Sequence, residues 1–213
     1  MSDLHSAALA DIPTSTIPTT AAATTTATAA VFVLPAPSPS ARLRLAAAAA
    51  GITALWALVL LASMRIDVGH GLHHVVVALH LISLTAGFGA VLAVDVCVLN
   101  GQLRRHDFTL ADAIRAAAVM DPLIWIGYFG LMLSGLLLRP DLGEPLMWVK
   151  LGAGYVAGLN GLNAKGMTAA LSGLPRNTRL NDLPRSFAVR AIAAAVLSQV
   201  VWWTAILIGF FGI

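Results

Sequence analysis

HGLHHVVVALHLISLTAGFGAVLAVD, residues 70–95, is the stretch from which the rest of the chain can be read. Four of the chain's six histidines, His70, His73, His74 and His80, stand at its start, and a carboxylate, Asp95, stands near its end. Between and around them runs apolar sequence. A bilayer core of about 30 Å needs about 20 helical residues, and residues 75–99 supply that length. The stretch therefore reads as a membrane helix with titratable groups toward both ends.

Composition extends this reading to the whole chain. Hydrophobic residues make up 58% of the 213 and charged residues only 11%, against about 25% charge in soluble domains. No water-soluble packing hides that much apolar surface, so lipid is the solvent that fits. The formal charge of +3 is small, and its arginines sit in short segments between apolar runs. That pattern suits topology signals and excludes a nucleic-acid partner, which would need a clustered basic face. The single cysteine, Cys97, excludes an internal disulfide and a Cys-rich metal or iron–sulfur site. It reads as a small packing residue in an apolar helix.

The expected fold is all-α: an integral membrane bundle of five transmembrane helices at about 45–64, 75–99, 121–138, 146–171 and 188–211. Residues 1–41 read as a disordered Ala/Thr/Pro-rich tail, because Pro13, Pro18, Pro35, Pro37 and Pro39 interrupt any helix and no apolar face recurs. Residues 42–213 form the membrane domain. Asp121-Pro122 reads as an N-cap followed by proline at the first helical position of span three. Upstream, Thr109 and Asp112 resemble a capping box with Asp in place of Glu, which places a short interfacial helix before that span. Arg42, Arg44, Arg104, Arg105, Arg115, Arg176, Arg179, Arg185 and Arg190 flank one side of the alternating spans, against Arg65 and Arg139 on the other. The positive-inside rule then predicts a cytoplasmic N-terminus and an external C-terminus. No internal repeat supports an inverted-repeat architecture.

Ionisable residues inside a span are costly and are functional suspects. His73 and His80 are seven residues apart and share a helix face. Asp95 lies fifteen residues beyond His80, about 22 Å at 1.5 Å per residue, so the histidines and Asp95 cannot form one site. His73, His74 and His80 are the candidate metal ligands; alternatively, the first histidines form an exposed polar turn and His80 bonds a neighbouring helix. Asp95 reads as an inner-surface residue paired with Arg104, Arg105 or the start of span three. Span four holds the chain's two lysines, Lys150 and Lys165. Lys150 pairs with an acid or a bound anion, or snorkels outward; Lys165 snorkels inward. Gly154, Gly158 and Gly161 lie on a small-residue stripe suited to close helix packing, with Gly87 and Gly89 of span two expected to face it. That contact would put His80 and Lys150 at one external cavity; Asp67, Asp141 and Glu144 either line its entrance or are ordinary solvated loop charges. Asn160, Asn163 and Gln199 supply interhelical hydrogen-bonding capacity. Trp125, Tyr128, Trp202 and Trp203 read as interfacial or lipid-facing aromatics. No GxSxG, HExxH, P-loop or GxGxxG motif occurs in a suitable setting, and no catalytic residue is assigned.

The run LHHVVVALH, Asp95 at the end of its span, SGLLLR and WVK together resemble uncharacterised bacterial inner-membrane proteins grouped with the CopD type of copper-resistance membrane domain. The likeness covers about residues 72–150. It implies copper handling by His73, His74 and His80, although CopD-type domains have more than five spans. Heavy use of Ala, and of Arg over Lys, fits a GC-rich bacterium and an inner-membrane location. Three functions remain open on sequence. One is transport or handling of an ion or metal at an external site around His80 and Lys150. Another is an accessory subunit packing through its glycine faces into a homo-oligomer or larger membrane complex. The third is a redox subunit holding haem or quinone. A transition metal fits better than haem, because no other span offers a second histidine.

Overall fold

A computed structural model describes residues 38–66, 69–103, 109–173, 175, 178 and 183–211, without the side chains of residues 70 and 101–103. Among the described residues there are five helices and no strand: α1 (Pro39–Ser63), α2 (His70–Leu103), α3 (Leu110–Leu137), α4 (Pro145–Leu171) and α5 (Arg185–Phe211). Nearly all of the expected N-terminal tail, together with Asp67, Arg104, Arg105, Arg176 and Arg179, lies outside the described residues.

Four of these helices are long and apolar enough to cross a membrane: α1, α2 over Gly71–Asn100, α3 and α5. α4 is also long, at 27 residues, but its lysines, asparagines and glycines lower its hydropathy and set it apart from the other four. It touches α1, α3 and α5. The apolar helices present Leu, Ile, Val and Phe side chains outward, among them Leu58, Leu61, Ile82, Ile126 and Val189, each more than 60% exposed. Water would reject such a surface, whereas lipid accepts it. The chain is a multi-pass membrane protein, and its least apolar helix, α4, packs against three others.

Local signals account for the helix ends. Ser38 caps α1 by accepting from the Ala41 amide at 3.2 Å, with Pro39 in the first turn. The missing N–H of Pro39 costs nothing there, so this proline starts a helix that had been expected to begin only after residue 41. Thr109 and Asp112 do form a capping box: the Asp112 amide donates to Thr109 Oγ1 at 3.3 Å, and the Thr109 amide donates to Asp112 Oδ2 at 2.9 Å. The helix they start does not stop at Asp121. It runs on through Pro122, which lies inside α3 rather than at its first turn. Proline gives up one i→i−4 bond here, a loss membrane helices tolerate when neighbours re-satisfy the backbone. α3 ends at Leu137 with Leu138 as its C-cap; the next residue, Arg139, is a non-glycine residue in the left-handed region (φ 51°), and Pro140 bars continuation.

Packing follows two pairs. α2 lies chiefly along α3 and α4 along α5, while α1 crosses α3 and α4. The expected contact of the span-two glycines with span four is not formed. Gly87 instead meets Gly127 of α3, where a Cβ on Gly87 would lie 3.2 Å from the Gly127 Cα. A Cβ on Gly127 would collide with the Gly87 backbone, and one on Gly130 with Ser83 Oγ. A Cβ on Gly89 would meet nothing. The small-residue contact therefore joins α2 to α3.

Candidate functional site

The glycine stripe of α4 cradles aromatic rings rather than helix backbones. Added Cβ atoms would meet the Trp56 ring at Gly154 (3.1 Å), the Tyr128 hydroxyl at Gly158 and the Trp125 ring at Gly161 (3.4 Å). Tyr128 and Trp202 are 6% and 7% exposed, so these two are core residues and not the lipid-facing aromatics expected from sequence. Trp203, at 47% exposed, does face outward. Trp56 Nε1 donates to the Tyr128 hydroxyl at 2.7 Å, and Trp202 packs on Phe88 with centroids 5.7 Å apart. Nothing in the apolar periodicity marks these positions; the only sequence signal was the glycine spacing that leaves room for the rings.

Two cavities of about 470 Å³ each open among the helices. The first is lined by all five helices and holds His80, Lys150, Arg139 and Ser63 among apolar side chains. His80 and Lys150 thus share one cavity, as expected, but α3 links their helices: α2 reaches this cavity alongside α3, and α4 closes it from the other side. The second lies toward the opposite helix ends, between α2, α3, α4 and α5, and holds Asp95, Asp121, Lys165 and Asn160. Tyr128, Ala157 and Trp202 line both cavities, one from each side.

The polar groups of the first cavity are fixed unequally. His80 Nδ1 lies 2.9 Å from Ser134 Oγ. The Ser134 hydroxyl has one proton, which it donates to the Gly130 carbonyl at 2.5 Å, so toward His80 it accepts. His80 therefore carries its proton on Nδ1, leaving Nε2 as the ring's remaining polar atom. Lys150 reaches across to α5, where a Cβ on Gly209 would lie 3.3 Å from its Nζ. No carboxylate among the described residues pairs with this ammonium; Asp112 and Asp121 pair with Arg115 and Lys165 instead.

The second cavity contains a matched ion pair. Lys165 pairs with Asp121 at 2.8 Å while its side chain stays largely exposed, and Asp121 also accepts from Trp125 Nε1 at 3.0 Å. This explains why Asp121 is no N-cap: it serves α4, one helix away. Asp95 accepts from Gln199 Nε2 of α5 at 2.5 Å, so its described partner is an amide; the arginines expected for it lie outside the described residues. Asn160 donates to the Ala194 carbonyl at 2.8 Å, and Asn163 accepts from Arg190 at 2.6 Å. These bonds satisfy Asn160, Asn163 and Lys165 on the polar face of α4, as a low-dielectric surrounding demands.

The expected metal ligands are not brought together. His73 and His74 stack edge to face at 5.9 Å within α2, His80 is held by Ser134, and among the described residues no three His, Cys, Asp or Glu side chains converge into a metal-holding group. No protein-family model, curated protein or solved structure matches the chain.

Proposed function

We propose that this chain is a small carrier of a bacterial inner membrane, which passes a solute between its two cavities across the wall of Tyr128, Ala157 and Trp202. The observation that supports this reading is the shared wall itself: one cavity approaches it from each end of the bundle. Carriers place a site at the membrane midplane and expose it to one side at a time. In this reading α4 is a fifth span. Its Asn160, Asn163 and Lys165 side chains are bonded to neighbouring helices, which favours burying that part of the helix in lipid. The distribution of arginines sets the N-terminus in the cytoplasm, so the His80 and Lys150 cavity faces outward and the Asp95 cavity inward. The metal-handling alternative is weakened by the dispersal of His73, His74 and His80.

Cysteine accessibility tests the arrangement. In a Cys97→Ala background, Leu151→Cys reports the first cavity and Ala164→Cys the second. A membrane-impermeant maleimide should label Leu151→Cys only from outside and Ala164→Cys only from inside. Labelling of both from one face would rule out a two-sided carrier and favour a subunit buried in a larger complex.

A further inference from the structure

The first cavity has a chemistry of its own. Its lining is mostly apolar, drawn from Val59, Leu84, Leu131, Met132 and Ile206 among others. Into it projects Lys150, a cation for which no described side chain supplies a counter-charge. Among the described residues, the charged or titratable groups that share the cavity are Arg139 just after α3, His80 on α2 and the Tyr128 hydroxyl on α3; the described residues of α1 and α5 contribute none. Among the described lining residues, the formally charged side chains are Lys150 and Arg139, both cationic. The second cavity differs: its Asp121 and Lys165 neutralise each other, and the carboxylate of Asp95 accepts from the Gln199 amide.

An unpaired ammonium in a low-dielectric cavity is costly unless an anion joins it. Gly209 is part of the device: a side chain there would sit against Lys150 Nζ and close the space on the α5 side. A volume of about 470 Å³ falls within the range of small-molecule sites, which combine apolar walls with a few placed polar groups. We propose that the Lys150 cavity binds an amphiphilic monoanion, its carboxylate or phosphate oxygens on Lys150 Nζ and its apolar body between α1, α3 and α5. Such a head and tail belong equally to a free aliphatic carboxylate and to an anionic lipid. The assignment deepens the carrier reading and rests on it for what the cavity is for, but binding can be tested separately from flux.

The test uses the full chain in phosphatidylcholine nanodiscs and titrates sodium octanoate, octanol and octylammonium by calorimetry. Octanoate should bind at least about 10-fold more tightly than either analogue, the difference a buried charge-assisted contact of about 1.4 kcal/mol produces. Lys150→Met should abolish that preference while leaving octanol binding unchanged, and Lys150→Arg should retain it. The Arg variant and the octanol control separate loss of the site from loss of the fold. Replacing part of the phosphatidylcholine with phosphatidylglycerol distinguishes the sources. Competition with octanoate supports the site with a lipid as its occupant; undiminished octanoate binding supports it with a free carboxylate. Equal affinity for octanoate and octanol, or an octanoate preference that survives in Lys150→Met, overturns the proposal. Octanoate binding without two-sided cysteine labelling would overturn the carrier reading alone.

Discussion

Gly158 and Tyr128 show how a single missing side chain can position a core. The Tyr128 hydroxyl lies against the Gly158 Cα, where a Cβ would collide with it, and is held there by the Trp56 indole at 2.7 Å. Gly158→Ala must push the ring aside, and overpacking of this kind costs about 1–3 kcal/mol. Tyr128→Phe removes the hydroxyl and leaves Trp56 Nε1 without its acceptor, at about 1 kcal/mol. The two changes relieve one another, so the double variant should be more stable than the sum of the single effects predicts. Thermal unfolding in detergent, arranged as a double-mutant cycle, measures that coupling. Additive effects would show that Tyr128 does not rest on Gly158. The histidines carry a different expectation. With His73 and His74 stacked on each other and His80 bonded to Ser134, the His73, His74 and His80 triple alanine variant should contain no less copper than the unaltered protein after exposure to copper and desalting. Elemental analysis reads this directly, and a loss of stoichiometric copper would restore the metal site that the sequence suggested.

The pairing of α2 with α3 depends on the approach of Gly87 to Gly127. Gly127→Ala would drive a methyl group into backbone, which cannot yield as a flexible side chain can. It should destabilise the bundle by about 1–3 kcal/mol or more. Gly89→Ala is the internal control: nothing lies within 4 Å of the added carbon, and in a helix alanine is favoured over glycine by about 0.5–1 kcal/mol. The melting temperature should therefore fall for Gly127→Ala and hold or rise for Gly89→Ala. The contrast also marks what a sequence can disclose. Helix existence and approximate length were readable, because apolar run length and the Thr109–Asp112 box are local properties. Asp121-Pro122 misled because an aspartate before a proline looks the same at a helix start as inside a helix; what decides is Lys165 on another helix, 44 positions away. The α4 glycines were recognisable as a packing face. Their partners were not, since spacing records that room exists without recording whether a backbone or an aromatic ring fills it.

Across the whole bundle, the carrier reading depends on a thin wall. Trp202 is its largest side chain, packed on Phe88 from α2 and lining both cavities. Its neighbour Trp203 also meets Phe88 but lines neither of them. Trp202→Ala should merge the two spaces and make the protein leak. In proteoliposomes containing an entrapped halide-sensitive dye, iodide should enter several-fold faster through Trp202→Ala than through the unaltered protein. Trp203→Ala should remain as tight as the unaltered chain. Removing a buried tryptophan costs about 3–5 kcal/mol, so each variant is first shown to be monodisperse and helical in detergent, and Trp202→Leu offers a milder opening if the alanine variant does not fold. Ala157→Leu works in the other direction, thickening the same wall from α4 and slowing any solute flux without loosening the bundle. If a folded Trp202→Ala protein admits iodide no faster than Trp203→Ala, the cavities are separate lipid-facing recesses and the chain has no path through its centre.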